Sequence, residues 1–463
     1  MATTFDEHYE RARQALEDRE RVVARAECQA ALALATESYE RALALVGLAD
    51  TYFFGDEKQR AFDLLDQAVA ACLPHLDQHA PSDAGTAYAL AQAWHDTALY
   101  LTMMNRDAEA LPVLEELLRR FLHRTTDTPK SKRELELCVV VAWALRRKSS
   151  VLLIEHKIEE SIACYEEIIR RFDKAKSDKL QYHVARAIYW RAVHAGDTGR
   201  QDKEVEGYNE VIARFGDSNS EDILSAVLDS FDRKTRIYQD QDDYEMVIEA
   251  CDDLIRRYGE HSDWRLVDAV ARAMIRRSVA LGKQGQHAKE LAGYDAVVQR
   301  YGSDPEDLVR KHAAKALMFK AVTLNDAGQI AAELECYHEV LRRYAEDPDE
   351  GIRAVAADAL IYKAMSLGAM ADDAAGDTGV RDIGPETACY DEVVARYGED
   401  DAVDLKRAVA EALFHKGEAF LDTGQIGAGV ACLDAVIDGY GAIKDTELRE
   451  IVKDARALKA EIG

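Results

Sequence analysis

The stretch GYDAVVQRYG, residues Gly293–Gly302, decides the fold of this 463-residue chain because it keeps returning. Further copies are CYEEIIRRF at Cys164–Phe172, GYNEVIARFG at Gly207–Gly216, ACDDLIRRYG at Ala250–Gly259, CYHEVLRRY at Cys336–Tyr344, CYDEVVARYG at Cys389–Gly398 and CLDAVIDGYG at Cys432–Gly441. We mark each copy by its second residue, which gives Tyr165, Tyr208, Cys251, Tyr294, Tyr337, Tyr390 and Leu433. The markers are 43, 43, 43, 43, 53 and 43 residues apart. A constant period of this size predicts a stacked repeat protein.

Two further positions recur at fixed distances before each marker. Nine residues before it stands a turn residue, mostly of a type that tolerates the left-handed backbone conformation closing a helix: His156, Gly199, Asp242, Gly285, Gly328 and Gly424, with Asp56 and Asn105 upstream. Sixteen residues before it stands a small residue: Ala49, Ala98, Ser149, Ala192, Thr235, Ser278, Ala321 and Gly417, with Ala364 when the longer loop is allowed for. Small residues let the two helices of a pair cross closely. The pattern predicts nine helical hairpins.

The order of these positions resembles the tetratricopeptide repeat: apolar, small, apolar, turn glycine, then an aromatic residue nine places later, from Glu37 to Gly441. The resemblance implies an all-α fold, a right-handed α-solenoid or superhelix of about nine helix-turn-helix repeats. The standard unit has 34 residues, so we expect the additional length in the first helix, as in Pro305–Gly328 with its start at Pro305. The sequence departs from the family at the usual alanine before the marker, where Glu204, Glu290, Glu333 and Glu386 stand.

The chain divides into three predicted segments. Residues 1–36 are expected to form one covering helix over Phe5–Ala35, residues 37–441 the solenoid with regular repeats from about 135, and residues 442–463 a capping helix. Two polar inserts interrupt the array, at His123–Arg133 and at residues 371–384. The second accounts for the ten additional residues in the long interval. Such inserts can contact partners at the edge of a solenoid, although a tolerated surface insertion is the favoured interpretation.

Composition restricts the class of partner. The formal charge of −27 argues against nucleic acid and anionic membranes. The eight cysteines form no CxxC pair, and five occupy nearly the same repeat position, so we interpret them as core residues. No secretory signal is visible at the N-terminus, and the longest mostly apolar run, Leu135–Leu145, is too short to span a membrane. We expect a cytoplasmic protein.

One face of the first helices is the candidate binding surface. Positions three before and one after the small residue are expected to line the concave side of the solenoid: Tyr189, Val193, Ile275, Val279, Met318, Val322, Ile361, Met365 and Phe414. An apolar strip of this kind suits an amphipathic helix or an extended peptide. Packing against the next repeat is the alternative interpretation.

A column of cations directly precedes the small residues: Lys148, Arg191, Lys234, Arg277, Lys320, Lys363 and Lys416. It could form a rail for an acidic or phosphorylated peptide. Acidic residues recur nearby, directly after the markers: Glu166, Asp252, Asp295, Asp391 and Asp434. Internal ion pairs that bridge helices are therefore the favoured interpretation.

No catalytic motif stands out. The chain has no HExxH, GxSxG, P-loop or dinucleotide-binding glycine motif, and the thirteen histidines show no metal-ligand spacing. We expect no enzyme and no cofactor, but a scaffold or adaptor that binds a protein or peptide partner, amphipathic or cationic, along the inner surface. The alternative is a self-assembling structural or regulatory protein that oligomerises through solenoid edges; the sequence leaves the oligomeric state open.

Overall fold

The chain is helical throughout the part that the structure describes. The computed structural model describes residues 4–55, 57–78, 83–376 and 381–462. Within these ranges it contains 21 α-helices, one short 3-10 helix and no β-strand. The predicted all-α class is confirmed. The helices group into two compact units, Met1–Lys234 and Thr235–Gly463.

The first unit contains ten complete helices. They are α1 Phe5–Glu17, α2 Arg21–Leu34, α3 Ser38–Phe53, α4 Lys58–Gln78, α5 Ala84–Met103, α6 Asp107–Phe121, α7 Lys132–Ile154, α8 Ile158–Phe172, α9 Asp178–Asp197 and α10 Gln201–Phe215. The 3-10 helix Leu122–Arg124 follows α6. Helix α11, Glu221–Asp240, contains the boundary between the units.

The second unit also contains ten complete helices. They are α12 Tyr244–Tyr258, α13 Trp264–Lys283, α14 His287–Tyr301, α15 Asp307–Asp326, α16 Ile330–Tyr344, α17 Glu350–Ala375, α18 Gly384–Tyr397, α19 Val403–Asp422, α20 Ile426–Tyr440 and α21 Thr446–Ile462. Consecutive helices pack as pairs, and each first helix also packs on the first helix of the next pair, α13 on α15, α15 on α17 and α17 on α19. This stacking of helix pairs is the predicted helical-repeat solenoid architecture.

The predicted turn positions are confirmed wherever the structure describes them. The backbone angle φ is positive at Asn105, His156, Gly199, Asp242, Gly285, Gly328 and Gly424; Asp56 lies outside the described residues. At Gly285 φ is 75°. There the N–H of Gln286 donates to the carbonyl of Leu281 at 2.9 Å, which is how a left-handed residue ends a helix and satisfies its last carbonyls.

The two helices of a pair cross closely at the predicted small residue. All nine of these residues are buried. In α13 the hydroxyl of Ser278 lies against Gly293 of α14 so closely that a Cβ added at Gly293 would clash with it. In the first unit, Ala192 of α9 faces Gly207 of α10 in the same way. The seven markers are also buried. They recur along the chain because the packing requires them.

The glutamates four residues before the markers have a steric explanation. A Cβ added at Gly196, Gly282 or Gly368 would collide with the carboxylate of Glu204, Glu290 or Glu386, respectively. In the last pair the exchange is reversed: Leu421 of α19 fills the space beside Gly429 of α20. In each such pair one helix has a glycine, and the other has a larger side chain that fills the space beside it. These three glutamates, which depart from the family pattern, are therefore matched by glycines on the first helix.

The first helices are the longer members of the regular pairs. Helices α9, α13, α15 and α19 have 20 residues each, whereas α10, α14, α16 and α20 have 15. The additional length therefore lies in the first helix, as expected. Helix α15 begins later than predicted, however, because Glu306 occupies the N-cap in an extended conformation and Pro305 precedes it.

The N-terminal prediction of one helix over Phe5–Ala35 is wrong. The chain breaks between α1 and α2, where Arg19 adopts a φ of 60°. Both helices have an apolar face that becomes buried, with Tyr9 and Ala12 on α1 and Ala24 and Cys28 on α2. A single straight helix could not bury both faces on the same neighbour, so the segment folds back as a helix pair. At the other end, α21 lies within the predicted capping segment and buries one face.

Helix α17 is the one described helix that is long and apolar enough to cross a membrane. It has 26 residues, and its most apolar window has a mean hydropathy of 1.3. Of that window, 56% is buried within the protein. Length and composition of this kind also occur in core helices, and Ile352, Ala356, Leu360 and Ala364 of α17 are fully covered by neighbouring helices.

We predict that the steric exchange between Gly282 and Glu290 is a coupled pair. Gly282→Leu should destabilise the chain by about 1–3 kcal/mol because the new side chain overpacks the crossing. The double variant Gly282→Leu, Glu290→Gly, which copies the Leu421–Gly429 arrangement, should recover the steric part of that loss, although it also removes the hydrogen bonds that Glu290 accepts from Tyr294 and Thr323. Thermal unfolding of the single and double variants measures the coupling.

Gly427→Leu is the matched control, since nothing lies near a Cβ at that exposed helical position. It should not destabilise the chain. Additive losses in the Gly282–Glu290 cycle would contradict the exchange.

Candidate functional site

The structure separates the nine predicted binding-face residues into three groups. Tyr189, Val193, Ile275 and Ile361 are buried, Val279, Met318 and Phe414 are half-buried, and Val322 and Met365 are exposed. The buried members pack between neighbouring helices, as Tyr189 does against the ring of Tyr208 at 5.7 Å between centroids. The four buried side chains therefore do not line an open surface.

The accessible apolar strip shares one of its two positions with the predicted face, and the other is displaced by one residue. It combines the position two before the small residue with the position one after it, and we call it the first-helix strip: Phe319 and Val322 on α15, Tyr362 and Met365 on α17. Their exposed fractions are 42%, 50%, 47% and 46%. The two pairs are 43 residues apart, so the strip repeats on adjacent first helices that contact each other.

A pocket of about 460 Å³ opens beside the first-helix strip. Phe319 and Val322 line it together with Val279 of α13 and the pair Glu290 and Tyr294 of α14. The rings of Phe319 and Tyr294 are stacked, with centroids 6.1 Å apart. The pocket thus has an apolar wall with a small number of polar groups, which is the usual composition of a binding site.

Buried glutamates beneath the strip hold the polar groups in place. Glu290 accepts hydrogen bonds from the Tyr294 hydroxyl at 3.2 Å and from Thr323 Oγ1 at 2.9 Å. One repeat later, Glu333 accepts from Tyr337 at 3.1 Å and from Ser366 Oγ at 2.5 Å. Burial, and then the adjacent glutamate, raise the pKa of both tyrosines. The hydroxyls therefore stay protonated as donors, and each glutamate links its own helix pair to the next first helix.

The basic column is half-buried along its whole length, and most of its members form ion pairs between helices. Lys148 Nζ lies 3.0 Å from Glu115, Arg277 Nε 2.7 Å from Asp252 and Lys320 Nζ 2.6 Å from Asp295, each acid belonging to the preceding helix pair. Lys416 pairs in the same way with Asp391, and Lys459 of α21 continues the column by pairing with Asp434. The cations thus bridge consecutive pairs.

Two members of the column depart from this geometry. Arg191 pairs with Glu210 of its own helix pair at 2.7 Å and not with Glu166. For Lys363, the position directly after the preceding marker, which is an acid in most other pairs, is occupied by His338. The remaining member, Lys234, lies at the end of the first unit.

Arginine 381 belongs to the second predicted insert and fastens it to the neighbouring helices. Its guanidinium lies 2.8 Å from Asp372 of α17, 2.7 Å from Glu386 of α18 and 3.8 Å from Asp422 of α19. Burial raises the pKa of Glu386, and Arg381 opposes that rise. Residues 377–380 of the insert lie outside the described residues.

The cysteines and histidines form no metal centre in the part of the chain that the structure describes. Seven of the eight cysteines are buried and Cys432 is half-buried, all as free thiols. Burial raises the pKa of Cys164 and of Cys336 to about 11. Such thiols are poor nucleophiles because the reactive form is the thiolate.

A buried acid cluster in the first unit was not visible in the sequence. Asp50 of α3 accepts a hydrogen bond from the Tyr100 hydroxyl, and Asp96 of α5 accepts from Gln92 Nε2 at 2.9 Å and lies 2.8 Å from His95 Nδ1. Burial and then the charge of Asp96 raise the pKa of Asp50. The residues come from helices separated in sequence, so only their packing reveals the cluster.

Comparison with known proteins identifies no family for this chain. No protein-family model matches the chain, and no curated protein is significantly similar to it. The structure of the apo form of RapI matches with a TM-score of 0.44 and 10% identity, over 86% of this chain and 99% of that chain. A structure from work on a phosphorylation switch in the interaction between cadherin and beta-catenin matches with a TM-score of 0.42 and 14% identity, over 98% and 90%.

The human IFIT1 dimer with m7Gppp-AAAA matches with a TM-score of 0.34 and 12% identity, over 99% of this chain and 91% of that chain. All three TM-scores are below 0.5. They carry no conclusion about function.

We predict that Lys320→Ala lowers thermal stability because it removes the bridge to Asp295. Since the Lys320 side chain is 23% exposed and that of Asp295 is 58% exposed, the loss should be about 0.2–1 kcal/mol. Lys363→Ala is the matched control, with His338 at the acid's position. Thermal melts at low and high salt measure both, and the difference between the variants should shrink at high salt. Equal losses would contradict the bridging role.

We predict that Asp50→Asn raises thermal stability at pH 8 by an amount that shrinks toward pH 5. An acid whose folded-state pKa is raised keeps its proton in the folded chain but loses it in the unfolded chain, so wild-type stability falls as pH rises above the ordinary carboxyl range. Asparagine removes this pH dependence and can still accept from Tyr100. Melting temperatures from pH 5 to pH 8, with the exposed Asp66→Asn as control, test it. A gain independent of pH would refute the assignment.

Proposed function

We propose that this chain is a non-catalytic scaffold of tetratricopeptide-like repeats that binds an amphipathic peptide or protein segment on the first-helix strip of its second unit. The observation that carries the proposal is the solvent exposure of Phe319, Val322, Tyr362 and Met365 at the same two positions of adjacent first helices. Apolar side chains in such a repeated row form a surface that a partner can cover.

The spacing of the strip indicates the kind of segment that fits. On each helix the two exposed side chains are three residues apart, so they lie on one face. A partner helix with apolar residues at i, i+3, i+4 and i+7 would lay that face against them. The flexible thioether of Met365 adapts to different partner side chains.

Charge supports a partner with cationic flanks. The chain has a formal charge of −27, and the pocket lining contains Glu290 and Asp326 against one lysine, Lys283. Acidic surroundings attract a basic segment and repel nucleic acid. The proposal takes the protein to be cytoplasmic, which its eight free thiols favour.

We predict that photo-crosslinking from the strip captures one partner segment. Replacing Phe319 or Tyr362 with benzoylphenylalanine keeps an aromatic side chain at each site, and both positions should crosslink the same segment in cells that contain the full chain. Glu335, an exposed residue of the second helix α16, is the control position. Mass spectrometry of the crosslinked peptide should give an amphipathic sequence.

A synthetic copy of that segment should bind the purified chain, and Phe319→Ala with Tyr362→Ala should weaken its binding at least tenfold, since each removes a large buried contact. Isothermal titration calorimetry measures the change. Equal crosslinking from Glu335, or no loss in the double variant, would refute the proposal. Crosslinks from the strip to a second copy of this chain would instead support self-assembly.

A further inference from the structure

Helix α7 of the first unit presents an unusual row of side chains to a pocket of about 280 Å³. Trp143, Arg146, Arg147 and Ser150 are spaced i, i+3, i+4 and i+7, so they lie on one face of the helix. Tyr165 of α8 and Trp190 and His194 of α9 line the same pocket. Arg147 and Trp190 occupy the same repeat position as Phe319 and Tyr362, two residues before the small residue.

The pocket is positively charged although the chain as a whole is strongly acidic. Its described lining contains Arg146 and Arg147 but no aspartate or glutamate. Arg146 Nη1 is buried without a hydrogen-bond partner among the described residues. Arg147 Nη1 donates to Thr102 Oγ1 at 3.4 Å. Burial followed by the charge of Arg146 lowers the pKa of Arg147, and Asp107 opposes that lowering. Both side chains are half-buried and no carboxylate lines their pocket, so an anion bound between them would offset their mutual repulsion.

Aromatic rings fix the position of the Arg146 guanidinium. Its Cζ lies 4.6 Å from the centroid of the Trp143 ring and 5.4 Å from that of Tyr182. These cation–π contacts hold the guanidinium in place, and its N–H groups can still donate in the plane of the guanidinium. The guanidinium is therefore oriented before any ligand binds.

Further unpartnered polar atoms lie behind Trp143. His183, whose exposed fraction is 1%, places its ring 5.0 Å from that of Trp143, and its Nδ1 has no hydrogen-bond partner among the described residues. The same holds for Nε2 of His95, whose ring lies 6.5 Å from that of Trp143. Buried polar atoms are normally satisfied, and of these three groups only Arg146 belongs to a residue that lines the pocket.

We infer that this pocket binds a small anion, a carboxylate or a phosphate attached to a planar ring. Arg146 and Arg147 supply donors for the anionic group, since guanidinium groups match both oxyanions with paired hydrogen bonds. Trp143, Trp190 and Tyr165 supply flat apolar walls against which a ring packs. A volume of about 280 Å³ suits one ring with its acidic group.

This inference is independent of the proposed scaffold function. It rests on residues of the first unit, whereas the first-helix strip belongs to the second unit. Failure of peptide binding at the strip would leave the anion site standing, and the reverse is also true.

Calorimetric titration of the purified full chain tests the inference with simple probes. Phenyl phosphate and phenylacetate represent the two sources of the anion, and benzyl alcohol is the uncharged match. We expect at least one of the two anions to bind saturably and benzyl alcohol not to bind. Arg146→Gln should weaken the anion at least about tenfold because it removes a charge-assisted hydrogen bond. Whichever anion binds identifies the source.

Arg170→Gln on the neighbouring helix α8, where the arginine is exposed and paired with Glu167, is the control and should leave binding unchanged. Thermal melts confirm that each variant is folded, and Arg147→Gln replaces Arg146→Gln if the latter unfolds. The inference is overturned if neither anion saturates at ~10 mM, if benzyl alcohol binds equally well, or if the folded arginine variant binds as tightly as the wild type.

Discussion

The close crossing of two helices at one small residue is the constraint on which the rest of the structure depends. Ser278 against Gly293 and Ala192 against Gly207 leave no room for another carbon atom. Because the helices are so near, each large side chain at the crossing must be matched by a gap on its partner. That requirement explains why glutamate faces glycine in several pairs and why the last pair exchanges the two roles. In packing this dense, a change in the size of one residue requires a matching change in the residue beside it.

The recurring phrase is constant because of this packing constraint. Since the phrase lies on the second helices, a functional surface is expected elsewhere. The markers are buried on the second helices and have no access to a partner. The ion pairs of the basic column, such as Lys320 with Asp295, join consecutive helix pairs, so the cations take part in stacking. Two residues before the small residue, the first helices carry larger side chains that packing does not fully cover. Phe319 and Tyr362 are exposed there in the second unit, and Arg147 and Trp190 line a pocket there in the first.

Much of the fold could be predicted from the sequence because its signals are local and repeated. A left-handed residue is needed at each turn, and the turn prediction holds from Asn105 to Gly424. The turn prediction fails at the N-terminus. Arg19 adopts the left-handed conformation there, and arginine has no preference for that conformation, so its residue type does not indicate a turn. The first segment was therefore predicted as one helix.

The sites could be predicted less well because they depend on how helices rotate against one another. A shift of one residue turns a helical position by about 100°, which separates the buried Ile361 from the exposed Tyr362. The cluster around Trp143 joins α5, α7 and α9, and nothing in the linear sequence links His95 to His183. Aligning the repeats could have shown that Arg147 and Trp190 stand at one repeat position. Only the packing of the helices shows that the pocket they line contains no acid.

The most direct test of the account is the chemical accessibility of single cysteines on the first helices. The native thiols other than Cys432 are buried, so a Cys432→Ala background should react slowly with a maleimide. Phe319→Cys and Tyr362→Cys should then be modified at nearly the rate of a free thiol, while Ile361→Cys and Ile275→Cys should be protected. Rapid modification at Ile361→Cys and Ile275→Cys, with protection at Phe319→Cys and Tyr362→Cys, would contradict the assignment of the accessible strip.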